Sequence, residues 1–207
     1  MTSVETIEAS ATLTCWSCRG PVEARAPFCA TCGAVQPPGA ADAFDRLGFG
    51  HGFEIDLDLL NRRYFDLQRL LHPDRFAAKT PRERALSQQQ AAAINEAYET
   101  LKEPLPRAIA LLRHFGRGAA ANEQGTIADA ALLTEMMEMR EALAEVDSLA
   151  EAETVGKRAE ADLAVCRRAL ADAFAQGDLD AAERQVTRLR YLAKFADEAR
   201  LRRRALA

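Results

Sequence analysis

Apolar residues recur between Leu57 and Leu71 at spacings of three and four, at Leu57, Leu60, Tyr64, Leu67 and Leu71. That period places them on one face and predicts an amphipathic helix, with Asp56 as its N-cap. The run meets His72-Pro73-Asp74. Proline has no amide to donate and disfavours helical geometry in the residue before it, so the helix is expected to end at about Leu71. After Thr80-Pro81 a second run carries Ile94, Tyr98 and Leu101 at the same spacing, which predicts a partner helix packed antiparallel on the first. A shorter helix through Leu105, Ile109 and Leu112 should end near His114 and Gly116. From about Asp129 onward there is no proline. Leu132, Met136, Met139, Leu143 and Val146 form one stripe there. Leu163, Leu170 and Phe174 belong to a second, and Leu179, Ala182, Val186, Leu189 and Ala193 to a third. Gln176-Gly177-Asp178 reads as a helix stop followed by a cap. Helices joined by such short breaks predict a three-helix bundle.

The first forty residues differ. They hold four of the five cysteines and close on AVQPPGA, where Pro37–Gly39 cannot continue a helix and reads as a linker. Strand patterns are absent outside this segment. The expected fold is all-α, a helical hairpin plus a C-terminal three-helix bundle, preceded by a small four-cysteine knuckle. The expected boundaries are 1–40, 41–117 and 118–207.

Lys+Arg 27 against Asp+Glu 31 gives a net charge of −4, which disfavours bulk binding to nucleic acid or to anionic membranes. No stretch approaches the roughly 20 apolar residues needed to cross a bilayer. MTSVETIEASATLTC carries acidic residues, no Lys or Arg and no apolar core. It reads as neither a secretory signal nor a transit peptide, so a cytoplasmic location is expected.

Cys15-Trp-Ser-Cys18 is followed ten residues later by Cys29-Ala-Thr-Cys32. Two such pairs bring four thiolates together as a tetrahedral Zn²⁺ site. Gly20 and Gly33 follow the pairs closely, as the turns of a knuckle require. Forty residues bury too little to fold unaided, and a structural metal supplies on the order of 10 kcal/mol. Two redox dithiols are the weaker reading, because such motifs sit singly in a βαβ context that is missing here. A Cys₄ iron–sulfur site shares the spacing and stays open. A nucleic-acid-binding or regulatory zinc ribbon is a further alternative, although Arg19 and Arg25 are the segment's only cations. Cys166 stands alone in a helical apolar pattern and reads as a core thiol.

His72 and Asp74 make a poor catalytic pair, since no Ser or Cys nucleophile has a claim to lie beside them. His51 and His114 stand isolated in turn or terminal positions. By itself the tripeptide is a helix stop. Its setting is more specific. An amphipathic helix of about 15 residues, HPD, a short loop and a second long helix resemble the J-domain, which stimulates ATP hydrolysis by DnaK-type chaperones. The resemblance implies that His72, Pro73 and Asp74 dock on the chaperone's ATPase domain near its interdomain linker. Arg62, Asp66 and Arg69, opposite the Leu57–Leu71 face, would meet the same partner. Arg75 keeps the charge of the lysine common after HPD.

Further motifs narrow the family. AFDRLGF from Ala43, FDLQRLLHPDRF, INEAYETLKEPLPRAIALL, LLTEMMEMREALAEV and RLRYLAKF together resemble the HscB family, J-type co-chaperones of iron–sulfur cluster assembly. The likeness runs from about Ala43 to the carboxyl terminus. The segment with FCATCGAVQPP is similar to the zinc-binding extension of some members, eukaryotic ones especially. The short bacterial form lacks it. The resemblance implies that the chain binds the cluster scaffold IscU through its C-terminal bundle, presents it to an HscA-type chaperone and triggers ATP hydrolysis. It implies no catalysis by the chain itself. The family's scaffold-binding positions fall on Leu133, Thr134, Met137, Glu138, Glu141 and Tyr191, with Thr134 standing where a larger apolar residue is usual. A J-protein with a different client is the alternative within this class.

The residues support a partner surface independently. Leu133 and Met137 sit beside the Leu132–Val146 stripe, and Tyr191, Leu192 and Phe195 sit off the Leu179–Ala193 stripe. Those two helices thus carry more apolar surface than one core face needs, and methionine suits an adaptable groove.

Overall fold

A computed structural model describes residues 12–117 and 130–207. The chain forms two compact units, one of residues 1–50 and 55–102 and one of residues 51–54 and 103–207.

In the first unit, β1 (Thr12–Thr14) and β2 (Pro21–Glu23) pair antiparallel with Leu13 opposite Val22. Helix α1 (Ala43–Leu47) is capped by Asp42, whose carboxylate accepts from the Asp45 amide at 2.9 Å. Helix α2 (Leu57–Leu71) starts where the sequence predicts, with the Asp56 carboxylate accepting from the amides of Asp58 and Leu59. It stops at His72, and a 3₁₀ turn over Pro73–Phe76 leads into α3 (Pro81–Lys102). Phe44 and Leu47 of α1, Leu60 and Leu71 of α2, and Ile94 and Leu101 of α3 are fully buried together in the core. Tyr64 stacks on Tyr98 at 4.1 Å, and each tyrosine hydroxyl donates across the α2–α3 seam, to Asn95 and Asn61 respectively. Leu57 lies on the predicted face but sits in the first turn, where it stays exposed.

Pro37–Gly39 is no free linker. Arg46 donates to the carbonyls of Pro38 at 3.0 Å and Ala41 at 2.9 Å, and Arg25 pairs with Asp45 at 2.8 Å. A side chain at Gly39, whose φ is +60°, would press on the Ala24 carbonyl. The prolines end helical pairing without releasing the chain, because Arg46 takes up the carbonyls of Pro38 and Ala41.

In the second unit, α4 (Pro104–His114), α5 (Ala130–Ala144) and α6 (Leu149–Gln176) pack on α7 (Leu179–Ala205). Besides residues 51–54, this unit takes in α4, whose Ala108, Leu111 and Leu112 are buried where the helix packs on α7. Ser148 and Glu151 form a capping box at the start of α6. Gly177 ends that helix at φ +71°, a left-handed cap that suits glycine, and Asp178 caps α7. Leu132, Met136, Leu143 and Val146 are buried as predicted.

The α7 stripe differs from its prediction. Leu192 and Phe195 are buried, with Ala196 and Ala199, while Ala193 is only partly covered. They therefore form core and not spare surface, because α7 meets three helices and needs a wider apolar face than one stripe.

Candidate metal centre and partner-docking surfaces

The cysteine pairs converge. Cys15 and Cys32 sulfurs lie 3.7 Å apart, as do those of Cys18 and Cys29, and all four fall within 4.8 Å of one another. A tetrahedron with metal–sulfur bonds of about 2.3 Å has edges of about 3.8 Å. A disulfide needs about 2.05 Å, and all four thiols are free. The four cysteines can therefore hold one metal ion. Two matching turns build the site: Arg19 N donates to the Cys15 carbonyl, and Gly33 N to that of Cys29. The left-handed positions are Arg19 (φ 62°) and Gly33 (φ 71°). Gly20 has a different role from the turn expected of it. A Cβ there would stand 3.3 Å from the Cys18 sulfur and from the Thr31 hydroxyl.

Donors surround the sulfurs. Ser17 N reaches Cys15 Sγ at 3.3 Å, Gly20 N reaches Cys18 Sγ at 3.4 Å, and the Gln36 side-chain amide reaches Cys15 Sγ at 3.4 Å. Burial pushes the Cys15 thiol up, but amide donors from Cys18 and Ser17 and the neighbouring thiols outweigh it, and the group falls to about 6. Cys18 moves the other way, to about 11, because the Gly20 amide that lowers it is outweighed by the neighbouring thiols and burial, so the four sulfurs share their charge unevenly. At Cys166, outside the cluster, burial pushes the thiol up to about 11. Its sulfur lies 3.5 Å from the Gln185 carbonyl, inside the second unit's core.

The HPD turn is pinned from both sides. Leu71 and Phe76 are buried, and between them His72 and Asp74 are exposed while Pro73 is half-buried. His72 Nδ1 accepts from Asp74 N at 3.3 Å and lies 3.6 Å from its carboxylate, so the two side chains share one orientation at the tip. Arg75 reaches back to the Arg69 carbonyl at 3.3 Å. Arg62 and Arg69 are exposed along α2, with Asp66 at 3.9 Å from Arg69. Phe65 on the same side is 59% exposed, and Leu70 in the last turn of α2 is 48% exposed. Neither falls on the Leu57–Leu71 stripe, although an aromatic residue three positions after Arg62 and off the core stripe is a readable signal.

On α5, Leu133, Thr134, Met137, Glu138 and Glu141 are all exposed and share one face at spacings of one, three, one and three. Ion pairs fix the rotation of this helix on α7: Arg188 grips the Glu135 carboxylate with two hydrogen bonds at 2.8 and 2.5 Å, and Arg140 lies 3.4 Å from Glu198. Leu133 is 46% exposed and Met137 55%. Tyr191 on α7 is half-buried. The Thr134 hydroxyl donates to the Ala130 carbonyl of its own helix at 3.0 Å. His51 and His114, which stand apart in the sequence, stack ring on ring with centroids 3.5 Å apart. No helix among the described residues is long and apolar enough to cross a membrane.

Residues 128–200 match a family model described as the HSCB C-terminal oligomerisation domain. The mouse iron–sulfur cluster co-chaperone protein HscB is 34% identical over 193 residues, which is 90% of this chain and 81% of the mouse protein. The crystal structure of human co-chaperone protein HscB superposes with a TM-score of 0.83 at 31% identity, over 91% of this chain and 98% of that one. Chaperone HscB from Vibrio cholerae gives a TM-score of 0.71 at 33% identity, over 81% of this chain and all of that one.

Proposed function

The chain belongs to the HscB family of iron–sulfur cluster co-chaperones, and from that premise we propose that it couples the scaffold IscU to an HscA/DnaK-type chaperone. Its relatives are named co-chaperones, and it acts as one and not as an enzyme. The α5 face of Leu133, Thr134, Met137, Glu138 and Glu141, with Tyr191 of α7, binds IscU. The tip of His72, Pro73 and Asp74, with Arg62 and Arg69 along α2, docks on the chaperone and stimulates its ATPase. Residues 41–117 act as the J-domain and 118–207 as the scaffold-binding domain. Neither nucleic acid nor membrane is a partner, and the work takes place in the cytoplasm.

The observation that carries this reading is the HPD tip. Two anchors, Leu71 and Phe76, hold it in place, and the Asp74 side chain is 89% exposed, with His72 its side-chain contact among the described residues. A carboxylate held out in this way suits a charge-assisted contact with a basic partner group. Four thiolates in a tetrahedral arrangement fit Zn²⁺, which serves as a structural ion and adds its binding energy to folding.

The test is single-turnover ATP hydrolysis by an HscA-type chaperone, with and without IscU. Wild-type protein should accelerate it, more so with IscU present. Asp74→Asn should abolish the acceleration and leave the circular-dichroism spectrum and Tm unchanged. A folded Asp74→Asn protein that stimulates as well as wild type would refute the docking role.

A further inference from the structure

The cysteine segment does more than fold around its own ion. Gln36 and Gln90 are buried polar side chains, 5% and 4% exposed, in positions where an unpartnered amide would be costly. Each finds its partner elsewhere, and Gln36 is common to both through its main-chain carbonyl and its side-chain amide. The Gln90 amide of α3 donates to the Gln36 carbonyl at 2.8 Å, and the Gln36 amide donates to the Ala34 carbonyl at 2.8 Å and to Cys15 Sγ at 3.4 Å. A continuous hydrogen-bonded path thus leads from a metal-ligating sulfur to the body of α3. A second contact lies two turns earlier, where the Arg82 guanidinium stands 4.4 Å from the Trp16 ring and Trp16 Nε1 donates to the Val35 carbonyl at 2.7 Å. Trp16 lies within the first cysteine pair and Gln36 four residues past the second, so both contacts need the knuckle in its closed form.

We infer that metal occupancy at the four cysteines and the stability of α3, the second arm of the HPD hairpin, are energetically linked through Gln36, Gln90 and the Trp16–Arg82 contact. The inference rests on the metal reading above. Gln36 is a positioning residue, since its amide orients Cys15 and its carbonyl is the grip for α3. With the metal removed, the knuckle loses the force that orders it, and Gln90 loses its buried partner. Linkage is reciprocal, so weakening the grip on α3 must weaken metal binding by the same factor. A residue of α3 that touches no cysteine should therefore alter zinc affinity.

The experiment uses the full chain, with zinc as the probe. Affinity is read by competition with a chromophoric chelator, the emission of Trp16 (the sole tryptophan) follows the seam, and hydrogen exchange reports protection of α3 amides. Gln90→Ala should lower zinc affinity about fivefold, the worth of one net hydrogen bond. Arg82→Gln, on an exposed side chain whose change spares the core, should lower it about threefold and shift the Trp16 emission. Chelation of wild type should speed exchange in α3 at least tenfold. Unaltered zinc affinity in both folded variants, or α3 protection indifferent to chelation, would overturn the linkage while leaving the metal reading intact. A folded wild-type chain that holds no zinc would overturn both.

Discussion

Truncating Leu133 and Met137 to alanine separates a partner surface from a core. Each change removes three heavy atoms beyond Cβ, worth about 2.4 kcal/mol if they passed entirely from water into an apolar contact. Leu133 is already 54% covered in the free protein and Met137 45%, as their exposures of 46% and 55% require. Only the remaining half is available to a partner, which leaves about 1 kcal/mol per residue. The double variant should therefore lose about 2 kcal/mol of binding, or about thirtyfold in Kd for IscU by titration calorimetry. The same exposures predict little effect on folding, because about half of each side chain stays in water in the free protein. Urea denaturation should place the double variant within about 1 kcal/mol of wild type, against the 2–5 kcal/mol typical of one truncated core leucine. An unchanged Kd in a folded double variant would refute the docking role. A loss of 4 kcal/mol or more in stability would show that the two side chains are core after all.

Elemental analysis should find one zinc per chain in wild type and none in Cys15→Ser, whose Tm should fall. Cys166, pushed up to about 11 by burial, should resist a thiol-reactive chromophore at pH 8 in the zinc-loaded protein and react promptly in urea. Rapid labelling of the native chain at Cys166 would show that the core around Leu170 opens freely.

Local patterns were readable where one physical cause decided the outcome. Asp56 and the HPD proline bound α2 at both ends, and Gly177 separates α6 from α7, because caps and proline act within a few residues of themselves. The two CxxC pairs announced their convergence for the same reason, since thiolate chemistry needs only spacing. What was not readable depends on partners distant in sequence. Pro37–Gly39 reads as loose until Arg46 is placed against the Pro38 carbonyl, and neither Gln36 nor Gln90 carries a periodic signal of its own. Leu192 and Phe195 read as surplus because a single stripe cannot express a helix covered by three neighbours. Ala182, Ala196 and Ala199 hide that breadth, alanine being equally at home in core and surface.

The arrested end of α2 also acts as an angular setting. Each residue advances a helix by about 100° and 1.5 Å. Ten residues from Arg62 to His72 thus fix the direction in which the tip points relative to the arginine row. A single residue inserted between Arg69 and His72 would leave the chain's composition and helix content almost untouched. It would nevertheless swing the tip through more than a quarter turn away from Arg62. Under the docking role proposed for the tip, the length of this helix is itself part of what a partner would read, specified by where the proline falls.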